Sequence, residues 1–274
     1  MCYGIPYMGS KNRIAEWIID NLPPAKHFYD LFGGGGAITH CALLSGKYKY
    51  VHYNELKPLI VKAFKMTVNG EFKNEKRWIS REDFFKLKDT DPYVALCFSF
   101  GNDCSSYCYS RKIEPLRKAL HYAICFDDFS LLKEMNIHID ETLRGRLEIC
   151  KAVNNVILQH LINLNRLQHL ESLQSLETLK EIQITNLDYR DVKIETDSVI
   201  YCDIPYKNVK KYSISDFNHD EFYEWSRKQK NVFISEYDMP DDFKIVCKKG
   251  ARNTMAAKSN KLVIEKLYTN AFQI

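Results

Sequence analysis

Hydrophobic positions in the first 55 residues of the chain follow two different periods. Residues 14–22 repeat apolar side chains with the spacing of one helix face, and two consecutive prolines end that helix. The apolar runs 27–32 and 48–53 are short and rich in aromatic residues, which is typical of buried strands. A helical pattern over 37–44 lies between them. The segment therefore predicts strand, glycine-rich turn, helix and strand in succession.

The pattern changes between residues 66 and 150, where charged stretches alternate with aromatic ones and no βαβ unit is evident. After it, eight leucines from Leu158 to Leu179 recur at every third position. Each step of three slips by about 60° around an α-helix, so one straight amphipathic helix explains the repeat poorly. We expect a helix up to about Arg166 and then a bent connector; a helix that binds a partner is the alternative.

Strand patterns return after this repeat. Residues 182–189 alternate apolar and polar side chains, 199–202 form a continuous apolar run, and 231–236 predict a further strand. The segments 243–248 and 261–268 predict a terminal antiparallel pair. The chain as a whole predicts an α/β fold with helices on both faces of the sheet and a mainly helical insertion.

Composition and charge limit the classes of function only loosely. The chain is 45% hydrophobic, which is enough for a substantial core, and its net charge of +4 permits a polyanionic partner without requiring one. No apolar window approaches the length of a membrane span, and the first residues do not resemble a signal peptide, so we expect a cytoplasmic protein without a membrane segment. The nine cysteines include no C-x-x-C pair. We expect reduced thiols and no metal site.

The last predicted buried strand before residue 204 ends in a group of residues with distinctive chemistry: Asp203, Ile204, Pro205 and Tyr206. A carboxylate accepts hydrogen bonds and donates none, proline lacks an N–H, and tyrosine offers a flat apolar face. Together they are suited to hold a planar group with an amino substituent. The Asp203 carboxylate and the Ile204 carbonyl would accept hydrogen bonds from that amino group. The alternative is an ordinary turn that follows a strand.

A second candidate site is the run of four glycines at 33–36. Glycine allows the backbone to approach a ligand closely and to adopt positive φ. The run fits neither the usual dinucleotide fingerprint nor a phosphate-binding P-loop, so it predicts neither NAD nor ATP. The next predicted strand ends in Asn54 and Glu55, and an acid at that place is suited to bind ribose hydroxyls. A mere tight turn is the alternative.

Four motifs in one order resemble a known family. The chain is similar to the Dam-type, or alpha-group, DNA N6-adenine methyltransferases, which use S-adenosylmethionine. The motifs are Tyr7-Met8-Gly9-Ser10-Lys11, Asp30-Leu31-Phe32-Gly33-Gly34-Gly35, Glu55 and Asp203-Ile204-Pro205-Tyr206. The chain departs from the family at Ile204, where the family has a proline.

The resemblance implies a Rossmann-like methyltransferase sheet and assigns roles to individual residues. The catalytic residues would be Asp203, Ile204, Pro205 and Tyr206. The residues that bind S-adenosylmethionine would be Tyr7, Lys11, Asp30, Phe32, Gly33, Gly35, Glu55, Asp188, Tyr189 and Asp203. Asp188 and Tyr189 would hold the adenine ring of the cofactor; otherwise Asp188 caps a turn.

The resemblance also implies a division into domains. Residues 1–65 and 151–274 would form the catalytic domain, and residues 66–150 an inserted target-recognition domain. Aromatic and basic residues in the predicted loops around 99–112 and 207–212 are suited to contact bases and phosphates. The candidates for DNA contact are Asn102, Tyr107, Arg111, Lys112, Lys210, Lys211 and Tyr212. The alternative is an ordinary polar loop or a solvated helix face.

The expected reaction is direct methyl transfer to N6 of an adenine that has been flipped out of double-stranded DNA. Cytosine N4 is the nearest competing target, because the same residues would hold any exocyclic amine, and RNA is a less favoured substrate. A catalytically silent DNA-binding protein is the competing reading from another class, and Ile204 is its only support. We expect a monomer, and the sequence leaves open a cognate restriction enzyme as partner.

Overall fold

The computed structural model describes residues 3–139, 149, 182–207, 217–252 and 262–270. The chain divides into two compact units. The first, which we call the sheet unit, comprises Met1–Gly4, Ser10–Val61 and Ser175–Ile274; the second, the helical unit, comprises Ile5–Gly9 and Lys62–Gln174. The predicted insertion, 66–150, falls within the range of the helical unit. The leucine repeat from 158 to 179 lies outside the described residues.

One mixed sheet runs through the sheet unit. Its seven described strands are β1 Ala25–Asp30, β2 Tyr48–Asn54, β3 Ile182–Thr185, β4 Ser198–Asp203, β5 Val232–Glu236, β6 Lys244–Arg252 and β7 Leu262–Thr269. Their order is β3-β2-β1-β4-β5-β7-β6. Strands β1 to β5 are parallel, whereas β7 runs antiparallel to both β5 and β6. The prediction of an α/β sheet with a terminal antiparallel pair is confirmed, and the fold is Rossmann-like.

The helices of the described residues connect these strands and build the helical unit. They are α1 Ala15–Asp20, α2 Ala37–Ser45, α3 Pro58–Val68, α4 Arg81–Leu87, α5 Pro92–Cys97, α6 Glu114–Phe126, α7 Ser130–Glu134 and α8 His219–Lys228. The helix predicted over 14–22 is shorter than its pattern, because Asn12–Ile14 forms a 3-10 turn before α1. Helix α2 ends at Gly46, whose φ of 65° is the left-handed conformation favoured at a helix C-terminus.

The sheet is covered on both faces, as predicted. On one face, α1 and α2 pack through Ile18, Ile19 and Ala42 against Phe28 and Val199. On the other, α8 packs through Phe222 and Tyr223 against Ile200, Ile234 and Tyr268. Because both faces of β4 are buried, its sequence is a continuous apolar run rather than an alternating one. Burial therefore leaves only the ends of the strands for polar chemistry.

The helical unit has its own hydrophobic interior. Ser80 and Asp91 cap α4 and α5 by accepting hydrogen bonds from backbone N–H groups of the first turn. The aromatic side chains of Tyr93 and Phe98 are fully buried, and Ser99 pairs with Tyr107 in an isolated β-bridge. None of the helices in the described ranges is long and apolar enough to cross a membrane.

Candidate functional site

The carboxyl ends of the parallel strands place polar residues at one edge of the sheet. The strand order reverses between β1 and β4, and in open α/β sheets ligands bind outside the carboxyl ends at such a reversal. Strand β1 ends in Asp30, β2 in Asn54, β4 in Asp203 and β5 in Glu236. Four polar side chains from distant parts of the sequence therefore meet at this edge.

An ion pair lies at the end of β4. The ammonium of Lys11 is 2.9 Å from Oδ1 of Asp203, and the two side chains are only 12% and 21% exposed. The same ammonium lies 4.6 Å from the centre of the Tyr206 ring, a cation–π distance. Burial raises the pKa of Asp203, and the positive charge of Lys11 opposes that rise. Lys11, which sequence reasoning assigned to the cofactor, is thus joined directly to the predicted catalytic residues.

The buried side chain of Ile204 fixes the backbone after Asp203. Ile204 is buried and packs in the same cluster as Phe222 and Ile234. The Pro205 carbonyl accepts a hydrogen bond of 2.8 Å from Nε2 of His219, at the start of α8. The departure from the family at residue 204 therefore replaces a rigid proline by a side chain that is fixed through packing.

Two carboxylates that sequence reasoning missed hold the rest of this turn. The Tyr206 hydroxyl donates to Oε2 of Glu265, on β7, over 3.0 Å. The Lys207 N–H donates to Oε2 of Glu236, whose other oxygen accepts from the N–H of Tyr237. Burial raises the pKa of Glu236 to about 7. An acid at a strand end is visible in the sequence, but the pairing of β5 with β7 that brings both acids to residue 206 is not.

The glycine run forms a close turn against β2. A Cβ on Gly33 would lie 2.3 Å from the Tyr53 ring, so only glycine fits. The Gly33 N–H donates to the Asn54 carbonyl, and the Gly34 N–H donates to Oε2 of Glu55 over 2.9 Å. The Tyr53 hydroxyl donates to the Gly34 carbonyl. Glu55 thus lies against the turn, where its carboxylate retains lone pairs for further donors.

Asp30 is almost completely buried at this edge, with 1% of its surface exposed, the same fraction as Glu236. Its Oδ2 accepts from the N–H and the hydroxyl of Thr39. Its Oδ1 is buried and has no hydrogen-bond partner among the described residues. Burial raises the pKa of Asp30 to about 7. The unsatisfied oxygen fits a ligand group that donates a hydrogen bond or carries positive charge.

Asn54 ties the ends of three strands together. Its amide nitrogen donates to the carbonyls of Leu31 and Leu187, and its oxygen accepts from the Thr185 hydroxyl and the Leu187 N–H.

The side chain of Leu56 is 61% exposed, and Leu187 is exposed as well. Large apolar side chains left in solvent at a strand end are suited to cover a flat ligand. Sequence reasoning passed over both leucines, although each adjoins a predicted acid.

The predicted adenine-binding pair separates into two environments. Asp188 accepts from the backbone N–H and the guanidinium of Arg190, which lowers the pKa of Asp188. Tyr189 is buried against Phe32 and Trp225. Phe32 and Tyr189 therefore belong to the core below the site, and their contact with the cofactor stays a prediction.

The residues predicted to contact DNA also differ in placement. Arg111 and Lys112 are exposed. Asn102 is buried and donates to the Leu96 carbonyl, while Tyr107 is buried and donates to the Ile79 carbonyl, so both side chains serve the interior of the helical unit. Tyr7 is half-buried and belongs to the helical unit. The predicted contacts at Lys210, Lys211 and Tyr212 lie outside the described residues.

Replacing the buried Asp30 by asparagine tests whether this acid is kept at the expense of stability. The folded state holds the proton up to about pH 7, whereas the unfolded chain releases it near pH 4. The free energy of unfolding therefore falls between pH 4 and 7 because of this group. We expect Asp30→Asn to be more stable than the wild type at pH 8, by on the order of 4 kcal/mol, and to gain much less at pH 4.

Urea denaturation at both pH values measures this difference, with the exposed Asp241→Asn as control. Equal effects of Asp30→Asn at pH 4 and pH 8 would contradict the assignment.

The hydrogen bond between Tyr206 and Glu265 can be tested by a double-mutant cycle. If Glu265 acts by holding the Tyr206 hydroxyl, then Tyr206→Phe and Glu265→Ala should lower kcat by similar factors of about 10, and the double variant should be no worse than either. Glu265→Gln retains an acceptor and should recover most of the activity. Additive losses in the double variant would refute the coupling; Glu224→Ala, on the exposed side of α8, is the control.

Comparison with known proteins agrees with this geometry. No curated protein sequence matches the chain. Residues 7–274 match the family described as D12 class N6 adenine-specific DNA methyltransferase. The match covers the glycine turn, Glu55 and the turn after β4, and the methyl donor of this family is S-adenosylmethionine. The chain therefore belongs to the D12 class of N6 adenine-specific DNA methyltransferases, enzymes that methylate adenine in DNA.

Proposed function

We propose that the turn Asp203–Tyr206 is the catalytic centre and receives an adenine flipped out of duplex DNA. The observation that carries this proposal is the Lys11 ammonium, held between the Asp203 carboxylate and the face of the Tyr206 ring. The ion pair favours the ionised form of Asp203, which is the form that accepts hydrogen bonds from the exocyclic amine of adenine. The duplex and the flipped base go beyond the family match, which gives the reaction and the base.

The chemistry follows from what each residue accepts. The N6 lone pair of adenine is delocalised into the ring, which makes the amine a poor nucleophile. The Asp203 carboxylate and the Ile204 carbonyl accept hydrogen bonds from its two N–H groups. This favours a tetrahedral nitrogen with a localised lone pair. Pro205 presents no N–H that would compete for the carbonyl, and Tyr206 stacks on the base and offsets part of the cost of flipping.

S-adenosylmethionine supplies an electrophilic methyl group when bound. On transfer, the adenine nitrogen would gain the methyl group and lose one proton, and the sulfur of the cofactor would be the leaving group. Asp203 is positioned to take that proton, and burial, which raises its pKa, suits it to do so. Direct transfer is then a matter of positioning and electrostatics.

The residues of the sheet edge fit the cofactor. Gly33 allows close approach of the backbone, and Glu55 offers carboxylate oxygens for ribose hydroxyls. We propose that the exposed Leu56 and Leu187 cover the adenine ring. The unsatisfied Oδ1 of Asp30 suits a donor or a positive charge of the same ligand. Direct cofactor contacts of Lys11, Tyr7, Gly35 and Asp188 are further parts of the proposal.

The helical unit is proposed to recognise the target word, through exposed basic residues such as Arg111 and Lys112. A monomer is retained as a proposal. A cytoplasmic location and a cognate restriction enzyme as partner are retained as proposals. The packing of Ile204 supports an active turn and weakens the reading of the chain as a silent DNA-binding protein.

Asp203→Ala is the decisive variant for the catalytic assignment. It removes the acceptor for the amine but leaves the glycine turn and Glu55 intact. We expect methyl transfer to fall by at least about 100-fold, while binding of S-adenosylmethionine stays measurable by calorimetry. Asp241→Ala, in an exposed loop, should behave as the wild type. Substantial transfer by Asp203→Ala would overturn the proposed role.

Glu55→Gln tests the cofactor site separately from catalysis. The amide keeps the size of the side chain but loses the charge and one acceptor oxygen. We expect the Kd for S-adenosylmethionine to rise about 10- to 100-fold, the range for a hydrogen bond to a charged group. Glu224→Gln is the control on the same unit. An unchanged Kd would remove Glu55 from the cofactor site.

A further inference from the structure

The strands β6 and β7 continue beyond the rest of the sheet. Strand β7 pairs with β5 only from Lys266 to Thr269, and Lys266 faces Glu236, the last residue of β5. Its pairing with β6 continues further, to Arg252 and Leu262. The four residue pairs beyond Lys266 form a two-stranded extension of about 13 Å, at roughly 3.3 Å per residue. We call residues 248–252 and 262–266 the basic ribbon.

The positive charge of the chain is concentrated in this segment. The ten residues of the basic ribbon contain four lysines and arginines and one acid, a net charge of +3. The whole chain carries +4, so the other 264 residues together carry +1. A weak global charge therefore hides a strong local one, which is the electrostatic signature of a surface that binds a polyanion.

Two lysines of the ribbon oppose each other directly. Lys248 of β6 pairs with Lys266 of β7 in the ladder, and like charges at facing positions of a sheet are destabilising. Lys266 binds Asp238, which is 91% exposed, at 2.8 Å. Lys248 is exposed, and no carboxylate of the described residues forms an ion pair with it. The arrangement leaves positive charge that an external anion can neutralise.

The next pair of the ribbon connects it to the catalytic turn. Glu265 accepts the hydrogen bond of the Tyr206 hydroxyl and faces Lys249 across the ladder. The ammonium of Lys249 also lies 5.7 Å from the centre of the Trp17 ring, and the side chain of Lys249 is half-buried. The basic ribbon thus begins beside Tyr206, the residue proposed to stack on the target base.

We propose that the basic ribbon binds backbone phosphates of the DNA next to the flipped adenine, as a contact surface of the sheet unit. The inference rests on the proposed function, because it takes duplex DNA as the polyanion. Lysines bind phosphates as point charges and read no base sequence, so the ribbon contributes affinity and positioning rather than choice of the target word.

The dependence of DNA binding on salt tests this proposal. Each phosphate contact releases about 0.9 counter-ion, so each lost contact lowers the slope of log K against log salt by about 0.9 and weakens binding about fivefold near 0.15 M salt. We expect Lys248→Gln to lose close to one unit of slope; Lys249, the next residue, points to the opposite face of the ribbon and faces Glu265, so it is left unchanged. The KM for DNA should rise, while kcat at saturating DNA and the Kd for S-adenosylmethionine stay within about twofold of the wild-type values.

Lys244→Gln is the matched control. Lys244 is exposed on the same strand, but it pairs with Thr269 at the other end of the sheet. Fluorescence anisotropy of a labelled duplex in the presence of S-adenosylhomocysteine gives the slopes for the three proteins. The wild-type slope in Lys244→Gln, together with the reduced slope in Lys248→Gln, is the result that supports the ribbon.

Several outcomes would overturn the ribbon while leaving the reaction intact. An unchanged slope in Lys248→Gln, an equal loss in Lys244→Gln, or a fall in kcat with no change in DNA affinity would each do so. A loss confined to a single-stranded RNA of the same length would assign the surface to RNA instead. Failure of the wild-type enzyme to methylate any duplex is a different result, which contradicts the proposed function itself.

Discussion

The ion pair between Lys11 and Asp203 is the interaction on which the site depends. Asp203 must be a carboxylate to accept hydrogens from an amine, yet the end of β4 is buried enough to raise its pKa. Lys11 supplies a positive charge at 2.9 Å that favours the ionised form. The same ammonium contacts the Tyr206 ring, so one cation serves both halves of the turn. The N-terminal segment that carries Lys11 is therefore part of the chemistry.

Buried acids are the recurring cost of this architecture. Asp30 ends β1 and Glu236 ends β5, the strands on either side of β4. Burial raises the pKa of each acid to about 7. A buried carboxylate without a full set of donors destabilises the fold, and Asp30 lacks a partner at Oδ1. Functional sites are where such local conflicts concentrate. The covered faces of the sheet, with their apolar clusters, supply the stability that offsets them.

The sequence predicted the parts of the fold that depend on local pattern. The continuous apolar run before Asp203, the glycine turn and the terminal strand pair were all predicted, because burial on two faces and tight turns restrict residue types locally. Glu236, Glu265 and the basic ribbon were not, because they depend on which strands pair and how far β6 and β7 extend. Tyr107 was predicted to contact DNA because aromatic and basic residues lie close together in its part of the sequence. Only the packed structure reveals that its hydroxyl donates to the Ile79 carbonyl.

Identification of the methylated nucleoside tests the central claim most directly. The wild-type enzyme is incubated with S-adenosylmethionine labelled in the methyl group and with unmethylated duplex DNA, which is then digested to nucleosides. The geometry of the turn and the family match predict that the label appears in N6-methyladenine. Label in N4-methylcytosine would contradict the choice of base. Absence of label in any DNA, with the cofactor bound, would contradict the assignment of the Asp203–Tyr206 turn as a DNA-methylating centre.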